Sequence, residues 1–193
     1  MNSATASADA PASLIRLNYA WFVAAALAVM GVAIASGNIW FLNWVHVMCG
    51  ALWTGIDVFM GFILGPILRH LDPPVRKQIL LRLTPRTLFL MPTLAIITGT
   101  AGWFLAVDLG FTELPWPQIA WVYAALALIA IMTIQGLGYL LPTNLRVCFE
   151  LQKPQPDGAK IGRLMAGYFY VVASQGVMQV AIIVIMAKFV TGI

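Results

Sequence analysis

Two side chains that can do chemistry lie within one long apolar stretch of the sequence. His46 can ligate a metal ion or haem through an imidazole nitrogen, and Asp57 can take up and release a proton. Ionisable groups are costly in apolar surroundings, so each is a candidate functional residue. Eleven residues separate them, about 20° beyond three helical turns, so they share one face of a helix. Gly50 and Trp53 lie between them on this face.

Both residues also have a purely structural interpretation. An imidazole inside a helical bundle can hydrogen bond to a neighbouring helix, and a buried carboxyl can pair with a basic or hydroxyl side chain. As functional residues, His46 would be an axial ligand of haem or another metal, and Asp57 would be the catalytic group of a proton relay. Residue type and spacing leave both interpretations open.

The last apolar stretch carries further polar side chains. Gln175 and Gln179 share a helical face with Met186. Gln135 and Thr98 lie in other apolar stretches. Such residues either hydrogen bond between helices or line a polar cavity among them, and the sequence allows both.

Composition places all these residues in a membrane. Hydrophobic residues make up 61% of the 193 residues and charged residues only 9%, with a mean hydropathy of +0.89. An ordinary soluble domain carries about 25% charged residues, and a soluble fold with so few charges could not cover its surface. The sequence therefore predicts an all-α integral membrane protein in a lipid bilayer. A soluble enzyme, a nucleic-acid binder and a disulfide-rich secreted domain are excluded.

We expect five transmembrane helices after a polar N-terminal tail at 1–16, with 17–193 as a single transmembrane domain. A spanning helix needs about 20 mostly apolar residues. The predicted spans are about 17–36, 39–68, 87–107, 117–141 and 166–190. The stretch 75–83 is expected to form a separate short amphipathic helix at the inner surface.

The basic residues predict the orientation of the bundle. Ten of the eleven Lys and Arg residues fall in the N-terminal tail or in the connections on the same side, and only Lys188 falls on the other side. The N-terminus is therefore expected to be cytoplasmic and the C-terminus to face outward, as for a multi-pass protein of the bacterial inner membrane. Five tryptophans would then form an aromatic belt at the outer interface: Trp40, Trp44, Trp103, Trp116 and Trp121.

The sequence limits how haem could be held. It contains no Cys-x-x-Cys-His motif, so covalent c-type attachment is excluded. The only other histidine, His70, is 24 residues from His46, which is about 36 Å along a helix. One haem cannot bridge that distance, so bis-histidine ligation within one chain is excluded.

The second predicted span resembles a known superfamily. Residues 46–55 read His-x6-Trp-x-Gly, from His46 through Trp53 to Gly55. This pattern is similar to the first core helix of the CopD copper-resistance family and of the HemJ-type protoporphyrinogen oxidases. It is also similar to the membrane domain of bacterial urate oxidases. Thr84-Pro85 and Thr98-Gly99 extend the resemblance, which covers about residues 40–190.

The resemblance implies a haem-b-binding redox protein with His46 as the iron ligand. Gly50 and Trp53 would line the cofactor site, and Met186, expected slightly closer to the outer surface than His46, would be the first candidate for a sixth ligand. Met30 of the first span is the second candidate. The CopD side of the resemblance implies a copper-handling protein instead. A non-catalytic accessory subunit, partnered by other membrane subunits or by copies of itself, is the remaining alternative.

The predicted orientation can be tested by accessibility labelling. A cysteine at position 157 (Asp157→Cys) should react only from the cytoplasmic side, and one at position 113 (Glu113→Cys) only from outside, because the basic connections stay inside. The measurement is labelling of intact cells with a membrane-impermeant thiol reagent. Labelling of position 157 from outside would contradict the orientation.

Overall fold

The computed structural model describes residues 19–191, which are helical almost throughout. Five helices follow one another along the chain, and a short 3₁₀ turn at Phe111–Glu113 lies between the third and the fourth. The helices are α1 (Ala20–Ala35), α2 (Ile39–His70), α3 (Pro73–Asp108), α4 (Ile119–Leu151) and α5 (Gly158–Thr191). The predicted all-α bundle is confirmed. The predicted tail at 1–16 and the first residues of the first span lie outside the described residues.

Four of the five helices, α2 to α5, are long and apolar enough to cross a membrane. The described part of α1 is apolar but has 16 residues, fewer than the others. The chain is therefore a multi-pass membrane protein. The end where α2 meets α3 and α4 meets α5 carries most of the basic residues and is called the basic end. The opposite end is called the tryptophan end, because its tryptophans are exposed: Trp40, Trp44, Trp103, Trp116 and Trp121.

The four long helices extend further at the basic end than the apolar pattern predicts. They have 32 to 36 residues, or about 48–54 Å at 1.5 Å per residue, whereas the hydrocarbon core is about 30 Å thick. The stretch 75–83 is not a separate surface helix, because it forms the first turns of α3. The helix α4 continues to Leu151, and α5 already begins at Gly158.

A hydrophobic core at the basic end, separate from the core among α1, α2 and α3, explains these extensions. Each extension is charged on its outside but buries an apolar stripe against its neighbours, with Leu80 of α3, Val147 and Leu151 of α4 and Ile161 of α5 among the buried residues. Burial of apolar side chains stabilises the helices here as it does in a soluble protein. The predicted spans were therefore too short at the basic end, because charged residues were taken to mark the ends of the helices.

An ion-paired carboxylate fixes the connection between α4 and α5. Glu150 is buried, and one of its oxygens lies 2.9 Å from Nζ of Lys153 and 2.7 Å from Nζ of Lys160. Its other oxygen accepts a hydrogen bond from the backbone N–H of Asp157 at 3.3 Å. These contacts close the chain reversal between the two helices.

Glycines allow α2 and α5 to approach closely. A Cβ atom on Gly61 would lie 2.6 Å from the Cα atom of Ala173, so only glycine fits there. Gly65 packs in the same way on Phe169. Antiparallel helices that touch at such small residues share one fixed register, and this register sets which side chains face each other further along.

Alanine at position 61 should separate α2 from α5. We expect Gly61→Ala to lower the free energy of unfolding by about 1–3 kcal/mol, because the added methyl overpacks against the Ala173 backbone. The measurement is unfolding in mixed detergent micelles. The control is Gly55→Ala on the same helix, where a Cβ meets nothing within 4 Å. Equal stability of the two variants would contradict the close approach.

Candidate functional site

His46 of α2 is held by the neighbouring helix α3. Its Nδ1 atom lies 2.9 Å from the backbone carbonyl oxygen of Thr98. The carbonyl can only accept, so Nδ1–H is the donor. The imidazole is half-buried at the contact between the two helices.

A glycine on α3 makes this hydrogen bond possible. Gly102 lies one turn after Thr98, and a Cβ atom on it would stand 2.6 Å from Cε1 of the His46 ring. Any larger residue at position 102 would therefore displace the imidazole. The glycine lets the ring reach a carbonyl that is already part of the α3 helix.

The hydrogen bond also fixes the tautomer of His46. With the proton on Nδ1, the neutral ring keeps its lone pair on Nε2. Within residues 19–191, no second hydrogen bond to this ring is present. Histidine ligands of metals are commonly oriented in this way, with one nitrogen donating to a carbonyl and the other free to coordinate.

Asp57 pairs with Gln179 of α5 rather than with a basic residue. Oδ2 of Asp57 accepts a hydrogen bond from Nε2 of Gln179 at 2.9 Å. Both side chains are almost completely buried, with exposed fractions of 2% and 4%. Trp53 lies one turn earlier on the same helix as Asp57 and is half-buried. The Oε1 atom of Gln179 is buried and has no partner among the described residues.

The predicted site residues thus fall into two groups on α2. Gly50 lies with His46 near α3, where a Cβ on Gly50 would be 3.3 Å from the methyl group of Thr98. Trp53 lies with Asp57. Met186 is half-buried on α5. Continuing the α2–α5 register outward places it level with residues 48–50, about 3–6 Å nearer the basic end than His46. The sequence had predicted a position slightly closer to the outer surface than His46.

Sequence reasoning missed the role of Gly102 and of a second buried polar group. Asn144 of α4 donates to the hydroxyl of Thr87 on α3 at 3.3 Å, and Tyr168 of α5 is a further buried polar residue. All three are buried. The spacing of Thr98 and Gly102, one helical turn apart, was the only available signal for the His46 contact. The sequence held no signal for the Thr87–Asn144 pair.

The described residues contain no group of three or more His, Cys, Asp or Glu side chains close enough to hold a metal ion. A metal ion bound at His46 would therefore not find two further ligands of these types among residues 19–191. A single oriented imidazole is what haem iron requires of a protein as one axial ligand.

Comparison with known proteins returns no relative. No protein-family model matches the chain, and no curated protein or solved structure matches it either.

The Asp57–Gln179 pair can be tested by removing its members one at a time. We expect Gln179→Leu to cost about 1–3 kcal/mol of unfolding free energy, because it leaves a buried carboxyl without its donor. Adding Asp57→Leu should recover part of this loss, because no unpaired polar group remains. Val180→Leu, at an exposed neighbouring position, is the control. Additive losses in the double variant would contradict the pairing.

Proposed function

We propose that this chain is a haem-b-binding redox protein of the bacterial inner membrane, with His46 as an axial ligand of the iron. The observation that carries the proposal is the oriented imidazole. Nδ1 donates to the Thr98 carbonyl at 2.9 Å, and Nε2 keeps its lone pair. The resemblance of residues 46–55 to the HemJ-type oxidases supports the same assignment.

The residues around His46 fit an axial-ligand role. The hydrogen bond to Thr98 raises the basicity of the ring and holds its plane, as partners of metal-bound histidines do. Gly50 would line the cofactor site beside His46. Trp53 shares this face of α2 but lies about two turns from His46 and groups with Asp57, so it would line the site less closely. The bound haem would supply one-electron redox chemistry, which no side chain of this chain provides alone.

The sixth ligand would be Met186 or absent. Met186 is level with residues 48–50 of α2, within about one helical turn of His46 along the bundle axis. Met30 of α1, which packs against the core between α1, α2 and α3, is the second candidate. Ligation by histidine and methionine raises the reduction potential of haem.

We expect His46→Ala to abolish the haem pigment. The purified wild type should show a Soret band that shifts on reduction, and the variant should insert normally but show none, because alanine is more apolar than histidine and cannot coordinate. Met186→Leu should keep the pigment and change its spin state. The measurement is an absorption spectrum with elemental analysis of the same sample.

Two glycines on α3 provide a matched test of the imidazole's position. Gly102→Ala should shift or weaken the Soret band, because the added methyl would displace the ring. Gly99→Ala should leave it unchanged, because a Cβ there meets nothing within 4 Å. Wild-type protein without haem would contradict the proposal. Stoichiometric copper in its place would favour the copper-handling alternative, and neither group would favour an accessory subunit.

A further inference from the structure

Asp57 is the only carboxylic acid within the five predicted spans. Burying a carboxylate in apolar surroundings is expensive unless a counter-charge or a proton neutralises it. Its hydrogen-bond partner is the neutral amide of Gln179. Nothing charged on this partner offsets a negative charge at Asp57.

The helices packed around Asp57 supply no basic group at its depth. The spans of α3 and α4 contain no Lys, Arg, His, Asp or Glu between 87 and 107 or between 119 and 141. On α5, Lys188 lies nine residues beyond Gln179, about 13 Å along the helix, and packs over the ring of Trp121 at 4.8 Å. His46 is about 16 Å away along α2, and Tyr168, eleven residues before Gln179, is about as far from Gln179 along α5.

Gln179 can hydrogen bond to Asp57 in both protonation states. As a carboxylate, Asp57 accepts from Nε2, which is the observed contact at 2.9 Å. As a carboxylic acid, it gains an O–H donor, and Oε1 of the same amide is a buried acceptor without a partner. A half turn of the amide brings that oxygen to the proton. One partner therefore serves the charged and the neutral form.

Buried polar groups continue from Asp57 towards the basic end. Gln175, one turn before Gln179, donates to the carbonyl of Met132 at 2.8 Å. The Oε1 atom of Gln135 nearby is buried and has no partner in the described part of the chain. We call the following residues the polar string: Gln175, Gln135, Thr87, Asn144 and Tyr168. On the tryptophan side of Asp57, α5 faces inward with apolar residues such as Ile185. The buried hydroxyl of Thr98 on α3 also lies on that side and has no partner in the described part of the chain.

Two π-helical segments border the polar string. Phe59–Leu64 begins two residues after Asp57, and Gly136–Leu140 begins directly after Gln135. Such segments change the hydrogen-bonding pattern of the backbone and occur frequently at functional sites. Both π-helical segments therefore lie directly on the basic-end side of a buried polar residue, Asp57 on α2 and Gln135 on α4.

We propose that Asp57 is a proton-binding site that exchanges its proton with the basic end of the bundle through the polar string. A proton suits the site better than a metal ion, because the carboxylate and one amide oxygen are fewer oxygens than the six or more that hard cations prefer. The inference stands on the geometry around Asp57 and does not depend on haem.

Dicyclohexylcarbodiimide tests this site, because it reacts only with a protonated carboxyl in apolar surroundings. The acid proton passes to a carbodiimide nitrogen while the carboxyl oxygen bonds to the central carbon. We expect mass spectrometry of the full-length protein to find the label on Asp57. Labelling should fall about tenfold per pH unit once the group is mostly ionised. Glu150, paired with two lysines, is the internal control and should stay unlabelled.

Two variants, the side on which the pH is changed and the addition of Na⁺ test whether Asp57 binds a proton from the basic end. Asp57→Asn, which is nearly isosteric, should lose the label, and Gln179→Leu should keep a label on Asp57 and change its pH dependence. In sealed vesicles of one orientation, labelling should follow the pH at the basic end. Labelling that follows the pH at the tryptophan end would contradict the path. Absence of label at acid pH, or protection by Na⁺ at constant pH, would overturn the proton site, whether or not the protein binds haem.

Discussion

The close contact between Gly61 and Ala173 is the constraint on which the rest of the structure depends. It sets the register of α2 against α5, and this register brings Asp57 to Gln179. A single helix then presents Asp57 to α5 and, three turns away, His46 to α3. Small residues that allow helices to touch are the usual means of association in a bilayer, where apolar side chains gain little by leaving lipid. The position of Asp57 follows from that packing, and the position of His46 follows from the contact of the same helix with Thr98 and Gly102 of α3.

The carboxyl groups of Asp57 and Glu150 have different surroundings inside and outside the apolar layer. Glu150 at the basic end is surrounded by two lysines and a backbone N–H. The lysines lower the pKa of Glu150 to about 2, so it stays ionised. Asp57, at the centre of the bundle, has only an uncharged donor. The first arrangement fixes a chain reversal, whereas the second leaves a group whose charge can change. This contrast supports the proposed proton-binding role of Asp57 and a structural role of Glu150.

Much of the architecture could be predicted from apolar runs, because a bilayer requires helices of a set length. The ends of the helices could not, since the extensions at the basic end are stabilised by a second core containing Leu80 and Val147. Helical periodicity placed His46 and Asp57 on one face but could not say which helix each would meet. The partner of His46 is a backbone carbonyl made accessible by Gly102. A backbone carbonyl is present at every residue, so residue type does not reveal which one is a partner. Only the spacing of Gly102 after Thr98 pointed to this contact.

We propose that His46 alone among the histidines coordinates iron, held by the Thr98 carbonyl. Electron–nuclear double resonance on the oxidised protein, grown with ¹⁵N-labelled histidine, measures this most directly. The account predicts one strongly coupled imidazole nitrogen per haem, and loss of that coupling together with the haem in His46→Ala. Two coupled imidazole nitrogens, or a haem signal without any, would contradict it.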